Sequence, residues 1–304
     1  MSLTCVHARG NVDSDGEVYL DEEERSLDST QNTMATIPKA PDAADLKHRW
    51  SQPSADSFQV RGLHYLQDRK KVPSSMTLLK ARGADFIQTD KFGPAHIAGH
   101  FPSILGGRLR DFPTLIFNIR MPFGNLVMYF EIPYRFLSLM KHFHDPLKSQ
   151  SFDDLKKIMA GFTRPEDRAF CNFITGDNEY RDAHLKLIPR VMEGNIIVRK
   201  LVHGKPVIIG KKLPLDYFYM PPDPTNKLAE YLEIDLDTGS SSLHAQNIIS
   251  ICKRFMTGVT VDLGWLIEGK SMDFLPECML GAIRLHRIDP DKCPEIHVEC
   301  PLVK

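Results

Sequence analysis

The stretch of residues 176–213 concentrates the side chains of this sequence that could do chemistry. Carboxylates, a histidine and cations follow each other within eleven residues of it, namely Asp177, Glu179, Arg181, Asp182, His184 and Lys186. In a buried site they would supply a general base and charged partners for acid/base chemistry. A hydrolase-type enzyme that uses Asp177, Glu179 or His184 is therefore one hypothesis. The simpler alternative is an ion-paired turn that holds an entry loop against a sheet.

The residues that follow predict a β-hairpin. Two β-branched runs, residues 195–202 and 205–212, flank a two-residue loop that ends in Gly204, and such a loop favours a turn with positive φ. The register that this turn sets places Lys200 and Lys211 on the same face. Both faces are otherwise largely apolar, so we expect the hairpin to be covered on both sides, with a few cations interrupting the apolar surface.

A third interpretation joins the cations of the stretch into one anion-binding patch. Its members are Arg181, Lys186, Arg199, Lys200, Lys211 and Lys212. Cations beside apolar strands suit a lipid, whose headgroup would meet the cations while its tails enter an apolar pocket. The hypothesis is a non-enzymatic lipid-binding or membrane-associated module, and a protein-interaction scaffold is a further alternative. The residues expected to shape the stretch are Gly176, Asp177, Glu179, Pro189, Gly194 and Gly210.

Known catalytic and cofactor motifs do not match this sequence. Gly204 and Gly210 imitate the ends of a phosphate-binding loop, but the spacing is wrong and the lysine that follows lacks a serine or threonine after it. Asp235 and Asp237 imitate the start of a calcium loop, yet Gln246 stands where a bidentate glutamate belongs. We therefore expect no catalytic residue of a known type, no metal and no cofactor.

Composition limits the partners. The chain has 304 residues and a formal net charge of −1, so a field over the whole molecule that would attract nucleic acid is not expected. Its six cysteines form no CxxC pair, which argues against disulfides or a zinc site and favours a reducing, cytoplasmic compartment. We find neither a secretory signal nor an uninterrupted apolar stretch of about 20 residues. A soluble or peripheral membrane protein without a transmembrane segment is predicted.

The chain divides at about residue 45. Residues 1–45 are poor in apolar side chains and carry the acidic run of residues 21–24, so they are predicted to be a disordered acidic tail, which could bind a protein partner. Residues 46–304 are predicted to form one main domain. Their periodicity indicates about nine strands and two clear helices with short connections, so the fold class is α+β with a curved, mostly antiparallel sheet.

Several elements of this domain are predicted individually. A helix is expected at residues 151–161, and a second one should start at the serines of residues 240–242 and end at Gly258. In the strand at residues 232–237, alternation places Glu233 and Asp235 outward, on a half-exposed face. The other strands are expected at residues 58–61, 77–89 (with a bulge at Gly83), 114–120, 126–132, 259–267 and 282–288.

Five segments of the chain, taken together, are specific enough to indicate a family. They are VRGLHYLQDRKKVP from residue 60, GDNEYRDAHLKLIPRVMEGNIIVRKLVHGKPVIIGKKL from residue 176, YLEIDLDTGSSSLHA from residue 231, VDLGWLIEG from residue 261 and LPECMLGAIRL from residue 275. In this order they resemble the C-terminal domain of the plant Enhanced Disease Resistance 2 proteins. In plants that domain commonly follows pleckstrin-homology and START domains, so the resemblance implies association with lipids or membranes. It is compatible with a START-like helix-grip fold and implies no catalytic residue.

The chain departs from the family pattern at several positions. Where the family usually has GDDEFRNSRFKLIP, this sequence differs at Asn178, Tyr180, Asp182, Ala183, His184 and Leu185, so a basic position is lost at His184. Arg120 stands where the family tends to carry glutamine. Retained are Gly176, Asp177, Glu179, Arg181, Lys186, Pro189, Glu193, Gly194, Arg199, Lys200, Gly210 and Lys211. Most cations of the expected anion-binding patch are therefore among the retained positions.

Overall fold

The computed structural model describes residues 11–12, 18–19, 36–41, 46–143, 152–201, 204–241, 246, 249, 251 and 253–296. The chain divides into two units, Met1–Thr33 and Met34–Lys304. In the first unit, strands β1 (Asn11–Val12) and β2 (Val18–Tyr19) pair antiparallel. All further elements belong to the second unit.

The second unit combines strands with short helices. Its strands are β3 (Arg49–Ser51), β4 (Gln59–Arg61), β5 (Lys71–Pro73), β6 (Lys80–Thr89), β7 (Thr114–Met121), β8 (Gly124–Glu131), β9 (Leu185–Glu193), β10 (Val207–Ile208), β11 (Leu215–Met220), β12 (Tyr231–Asp237), β13 (Thr260–Ile267), β14 (Met279–His286) and β15 (Glu295–Ile296). Its helices are α1 (Tyr65–Asp68), α2 (Ile97–His100), α3 (Leu137–Met140), α4 (Phe152–Ala160), α5 (Pro165–Thr175), α6 (Asn178–His184) and α7 (Ile196–Leu201). Single 3-10 turns follow at several strand and helix ends, among them Ile209–Lys211, Met256–Gly258 and Met272–Phe274.

Two principal sheets organise these strands. The five-stranded sheet has the order β10-β9-β13-β14-β3 and is antiparallel throughout. The six-stranded sheet has the order β11-β12-β7-β8-β6-β15 and is antiparallel except for the pairs β7–β12 and β6–β15. Strands β4 and β5 form a separate antiparallel ribbon. Extra residues form bulges in β6 and β14, and bulges of this kind bend a sheet. The predicted α+β class, with mostly antiparallel curved sheets and packed helices, is confirmed.

The main core lies between the two sheets. Phe117 of β7 stacks on Trp265 of β13 with ring centroids 3.9 Å apart and planes 3° apart. Phe130 of β8 meets Phe117 edge-on at 5.8 Å, and Phe170 and Phe173 of α5 join the same buried cluster. Burying a side chain of this kind contributes about 1.5–3 kcal/mol. These aromatic contacts therefore stabilise the packing of one sheet on the other and of α5 on both.

The predicted β-hairpin is wrong. The first run forms α7, and the second run contains the short strand Val207–Ile208 followed by the 3-10 turn Ile209–Lys211. That strand pairs with Lys186 and its neighbour in β9, not with the first run. Because β10 and β13 already occupy the two edges of β9, the first run has no strand to pair with and forms a helix that buries Val198. Tertiary context here overrides the β propensity of branched residues.

The strand predicted at residues 232–237 is confirmed as β12, but the outward direction of its carboxylates is wrong. Glu233 and Asp235 are fully buried. Strand β12 lies inside the six-stranded sheet, and the backbone of residues 96–98 at the start of α2 bonds to both carboxylates from above. Alternation of apolar and polar residues indicates that a strand has two different faces, but it does not indicate whether the polar face is exposed to solvent.

The other predictions divide by what the structure describes. The helix at residues 151–161 is confirmed as α4, and the bulge at Gly83 is confirmed in β6. The helix expected to end at Gly258 falls largely outside the described residues, but residues 246, 249, 251 and 253–255 are helical. In the expected tail, Ile37 is buried and bridges to Ala84 of β6. Where residues 1–45 lie outside the described part, their predicted disorder stays a prediction.

Candidate functional site

Arg181 was expected in the anion-binding patch, but its guanidinium is committed to the protein backbone. It donates to the carbonyl oxygens of Phe173 at 3.0 Å, Ile174 at 2.7 Å and Phe143 at 2.7 Å. The first two are end carbonyls of α5, which lack partners inside their own helix. Burial lowers the pKa of Arg181 to about 10. We conclude that Arg181 holds α5 and α6 together and is not placed to meet a ligand.

The residues considered for acid/base chemistry have separate local roles. The Asp177 carboxylate accepts from the Tyr180 backbone N–H at 2.8 Å and so caps α6. The His184 ring stacks on the Tyr180 ring at 3.9 Å, and burial lowers the pKa of His184. Glu179 is exposed in the first turn of α6. None of Asp177, Glu179 and His184 lines the clefts described below.

Lys186 lies at a cleft, in a group of four charged residues of which three are buried and Arg61 is half-buried. Its ammonium is 3.1 Å from a carboxylate oxygen of Glu268 and 3.1 Å from one of Glu277. The Arg61 guanidinium forms an ion pair with Glu268 and lies 3.6 Å from Glu277. Glu277 also accepts from the backbone N–H groups of Arg61 and Gly269, both at 3.0 Å. We call Arg61, Lys186, Glu268 and Glu277 the charged quartet.

The electrostatics of the charged quartet favour the ionised form of Glu268. Burial by itself raises the pKa of Glu268, but the cations Lys186, Arg61 and Lys270 outweigh it and bring the pKa below its usual value. A cation as close as the Lys186 ammonium, 3.1 Å from Glu268, favours the charged form of that carboxylate. The quartet is therefore a fixed arrangement of two cations and two carboxylates.

The register of three neighbouring strands builds the floor of the cleft. Lys186 of β9 stands opposite Ile208 of β10 on one side and Leu266 of β13 on the other. Side chains of directly paired residues lie on the same face of a sheet. One cation is thus flanked by two aliphatic side chains, and Ile188, two residues further along β9, extends the apolar part.

The ribbon of β4 and β5 supplies the remaining wall. Gln59 and Lys71 of this ribbon and Tyr65 of α1 line, together with the charged quartet, an open cleft of about 230 Å³, which Pro206 completes. The Arg61 guanidinium lies over the Tyr65 ring at 4.9 Å. Lys71 is exposed, and no ion pair to it occurs among the described residues. The cleft therefore combines an apolar floor, a neutralised charged quartet and one available cation at its rim.

The other expected cations lie elsewhere. Arg199, Lys200, Lys211 and Lys212 are exposed and do not line the cleft, and the Arg199 guanidinium donates to the Met192 carbonyl at 2.9 Å. Their grouping with Lys186 depended on the hairpin register, which is wrong; an anion-binding role for each of them stays a prediction. Sequence reasoning missed Arg61 and Lys71, although the basic run in VRGLHYLQDRKKVP was the signal that could have found them.

Two glycines of the expected structural motif meet backbone requirements. A Cβ at Gly210 would fall within van der Waals distance of the Asp182 backbone, so the close approach of the 3-10 turn to α6 requires glycine. Gly194 has φ of 139°, in the region that favours glycine, where the chain leaves β9. Of the others, Pro189 lies in β9 opposite Leu263. Gly176 and Glu179 lie at the start of α6.

A second polar cluster is enclosed between β12 and the start of α2. Glu233 accepts from the backbone N–H groups of Ile97 at 2.7 Å and Ala98 at 3.2 Å. Asp235 accepts from the His96 backbone N–H at 2.7 Å and from the Asn118 amide at 2.9 Å. Burial raises the pKa of both carboxyls. These bonds hold the covering segment on the sheet, so the cluster is a structural tie.

A further cleft lies beside α4 and α5. It measures about 330 Å³ and is lined by apolar and polar residues that include Met159, Phe162, Arg168 and Phe274. Both clefts are open, and neither is the enclosed apolar pocket that the lipid hypothesis expected. No helix in the described part of the chain is long and apolar enough to cross a membrane.

Comparison with known proteins places this architecture in a family. The family model described as Protein ENHANCED DISEASE RESISTANCE 2, C-terminal matches residues 50–289. A relative from Arabidopsis thaliana, Protein ENHANCED DISEASE RESISTANCE 2-like, is 23% identical over 248 residues, which cover 82% of this chain and 30% of that protein. No solved structure matches the chain. The resemblance seen in the sequence is confirmed, and the chain belongs to the Enhanced Disease Resistance 2 C-terminal family.

Proposed function

We propose that this chain is a non-enzymatic lipid-binding module that associates with membrane surfaces, and that the cleft at Lys186 receives an anionic lipid headgroup. The observation that carries the proposal is the convergence of Arg61, Lys71 and Lys186 on one open cleft whose floor also contains Ile208 and Leu266. A headgroup needs cations and hydrogen-bond donors, and the glycerol region beside it needs apolar contacts. Membership of a family whose plant members carry lipid-associated domains supports the same role.

The size of the cleft decides which part of a lipid it takes. Sites that enclose a small organic ligand measure about 300–1,000 Å³, and this cleft measures about 230 Å³. A headgroup fits, whereas two acyl chains do not. The proposal therefore places the acyl chains in the bilayer and the headgroup in the cleft, in contrast to the enclosed apolar pocket that the sequence led us to expect.

The charges of the cleft favour an anionic headgroup over a neutral one. Glu268 and Glu277 balance Arg61 and Lys186 within the charged quartet. Lys71 is left as the excess cation at the rim of the cleft, which Tyr65 and Gln59 also line. A charge-assisted bond to a phosphate is about twice as strong as a bond between neutral groups. Lys71 should therefore contribute most to the preference for an anionic headgroup.

The test is a calorimetric titration with soluble, short-chain lipids. Dihexanoylphosphatidylserine is compared with dihexanoylphosphatidylcholine, and the proposal expects binding of the first to be tighter. Lys71→Glu should abolish that preference because it reverses the excess charge. Ile208→Trp should weaken binding because the larger side chain fills the cleft. Recovery of the lipid chemically unchanged, measured by mass spectrometry, checks that no turnover occurs.

Two matched controls separate the cleft from general effects. Lys211→Glu makes the same charge change at an exposed lysine that does not line the cleft, and Met159→Trp places the same side chain in the other cleft. Both should bind phosphatidylserine as the unmodified chain does. Equal losses from Lys71→Glu and Lys211→Glu, or no loss from Ile208→Trp, would show that the headgroup does not bind here.

A further inference from the structure

The tip of the β4–β5 ribbon, residues 62–72, combines exposed apolar side chains with a dense positive charge. Leu63 is 49% exposed and Val72 is 38% exposed. Three consecutive cations, Arg69, Lys70 and Lys71, follow α1, and Asp68 is the carboxylate of the tip. The whole chain has a formal net charge of −1, so this positive charge is local to the tip.

The carboxylate of the tip is bonded to the backbone of the tip. Asp68 accepts from the Lys70 backbone N–H at 2.8 Å and so fixes the turn that follows α1. Arg69, with φ of 58°, closes the helix by donating its N–H to the Tyr65 carbonyl. Its guanidinium lies 5.7 Å from the centroid of the Tyr65 ring, whereas that of Arg61 lies 4.9 Å away. The side chain of Tyr65 is thus held by cations, and Lys70 and Lys71 stay available to a partner.

The base of the ribbon is anchored firmly. Val60, which pairs with Val72, is 1% exposed and belongs to a buried cluster with Phe58. The Ser74 backbone N–H donates to the Phe58 carbonyl at 2.9 Å, and the Glu277 N–H donates to the Arg61 carbonyl at 2.9 Å. A rigid ribbon that ends in exposed aliphatic and basic residues needs no ordering of its own before it meets a surface.

We propose that the tip docks the protein on an anionic phospholipid bilayer, with Leu63 and Val72 entering the headgroup region and Arg69, Lys70 and Lys71 facing anionic headgroups. Amphipathic elements bind bilayers by this combination of buried apolar area and attraction to anionic lipid. This inference deepens the proposed function, on which it rests. Tyr65 and Lys71 belong both to the tip and to the cleft, so docking would bring the cleft to the membrane surface.

The strength of the effect follows from the number of cations. A lysine or arginine near an anionic leaflet contributes roughly fivefold to membrane partitioning. Removing Arg69 and Lys70, neither of which lines the cleft, should therefore weaken vesicle binding by roughly 30-fold. The loss should diminish as salt is added, because salt screens exposed charges beyond about 10 Å at 0.1 M.

A tryptophan reporter tests the insertion directly. Both native tryptophans are buried, Trp50 at 2% and Trp265 at 0% exposure, so a tryptophan at position 63 would be the exposed one. The emission of Leu63→Trp should shift to the blue with vesicles of phosphatidylcholine and phosphatidylserine, and should not shift with phosphatidylcholine alone. Met220→Trp, on the edge strand β11 and 38% exposed in the native chain, is the control that should not shift with either vesicle.

A charge series tests the electrostatic part by vesicle flotation. Arg69→Gln/Lys70→Gln should lose phosphatidylserine-dependent flotation, whereas Lys211→Gln/Lys212→Gln, another exposed consecutive pair, should keep it. All four positions are exposed, so folding should be retained, which thermal melting checks. Equal flotation of the two double variants, or vesicle binding without a blue shift at position 63, would overturn the proposal; in the first case the tip would serve another acidic partner.

The two proposals fail in different ways. If the tip docks but the cleft takes no headgroup, Arg69→Gln/Lys70→Gln loses flotation while the soluble lipid binds no variant at all. If the cleft binds a headgroup but the tip does not dock, this double variant floats and binds soluble lipid as the native chain does, whereas Ile208→Trp loses soluble lipid. The flotation result thus decides on the tip, and the titration decides on the cleft.

Discussion

Replacing Lys186 by methionine tests whether the charged quartet behaves as a buried network. The Lys186 ammonium lies 3.1 Å from both Glu268 and Glu277, and the side chain is only 8% exposed. Methionine keeps the apolar stem and removes the charge. Glu268 and Glu277 would then share Arg61 as the remaining close cation of the quartet. The change therefore leaves one buried negative charge without its partner.

The magnitude follows from the burial of the pair. Removing one partner of a buried ion pair costs about 3–5 kcal/mol, while an exposed pair contributes about 0–1 kcal/mol. We expect a loss of about 3 kcal/mol in the free energy of unfolding, at the lower end because Arg61 remains and the cleft admits water. The double variant Lys186→Met/Glu268→Gln removes one positive and one negative charge. Its loss of stability should therefore be at least about 1 kcal/mol smaller than the sum of the losses of the two single variants.

The pH dependence carries a definite sign. The folded pKa of Glu268 is below its usual value of 4.5, chiefly because Lys186 and Arg61 outweigh the opposing effect of burial. A depressed pKa contributes stability above the unfolded pKa, and this contribution is lost as pH falls through the folded pKa. In the Lys186→Met variant most of this Glu268 contribution to stability is already lost. The difference in stability between native and variant chains should therefore shrink as the pH falls below 4.5.

Urea denaturation followed by tryptophan fluorescence measures these differences. Trp265 lies in the same strand as Leu266 of the cleft, and it reports the unfolding of the core. The reasoning would be refuted by a loss below about 1 kcal/mol near neutral pH, the value of an exposed pair. A difference that grows on acidification would also refute it, because the sign of the Glu268 contribution would then be reversed.

Three further perturbations test the fold. Glu233→Gln should flatten the pH dependence of unfolding above the usual pKa of 4.5, because burial raises the folded pKa of Glu233 and such a group loses its stabilising contribution as pH rises toward that value; urea titrations at several pH values check this. Gly210→Ala should cost about 1–3 kcal/mol by forcing the turn away from α6, whereas Gly258→Ala, with no atom within 4 Å of the added Cβ, should leave the melting temperature unchanged. Phe117→Ala should cost about 3–5 kcal/mol in denaturant unfolding, because it empties the stack on Trp265.

Local signals were sufficient for elements whose environment is uniform. Strands β7 and β8 are mostly apolar and mostly buried, as interior strands are. Helix α4 shows its apolar stripe and its end at Gly161 within eleven residues of sequence. In both cases the local preference and the tertiary environment agree, so the prediction did not require any distant residue.

The failure at residues 195–212 has the opposite cause. A β-branched run forms a strand only when a partner strand is available, and the neighbours of β9 come from β10 and from β13, some 60 residues further along the chain. Nothing in the run itself shows that β13 takes this place. The position of Glu233 and Asp235 is a similar case, because their partners Asn118 and residues 96–98 lie more than 100 residues away.

The candidate site was only partly predictable for the same reason. Lys186 could be named because it belongs to a charged motif, but its partner Glu277 and the second cation of the quartet, Arg61, come from the two ends of the domain. The four cations that the expected hairpin grouped with Lys186 do not line its cleft. A charge in sequence indicates a possible site, and the fold alone determines which charges meet.

The placement of the five family segments argues that the cleft is more than a structural joint. Four of them, which begin at residues 60, 176, 261 and 275, supply every lining residue of the cleft except Gln59. The fifth, from residue 231, supplies Glu233 and Asp235 to the second polar cluster. A purely structural ion-pair network would need only the charged quartet. Lys71 and Tyr65 add a cation and a hydroxyl at the open rim, where they pair with no carboxylate among the described residues and where a headgroup could reach them.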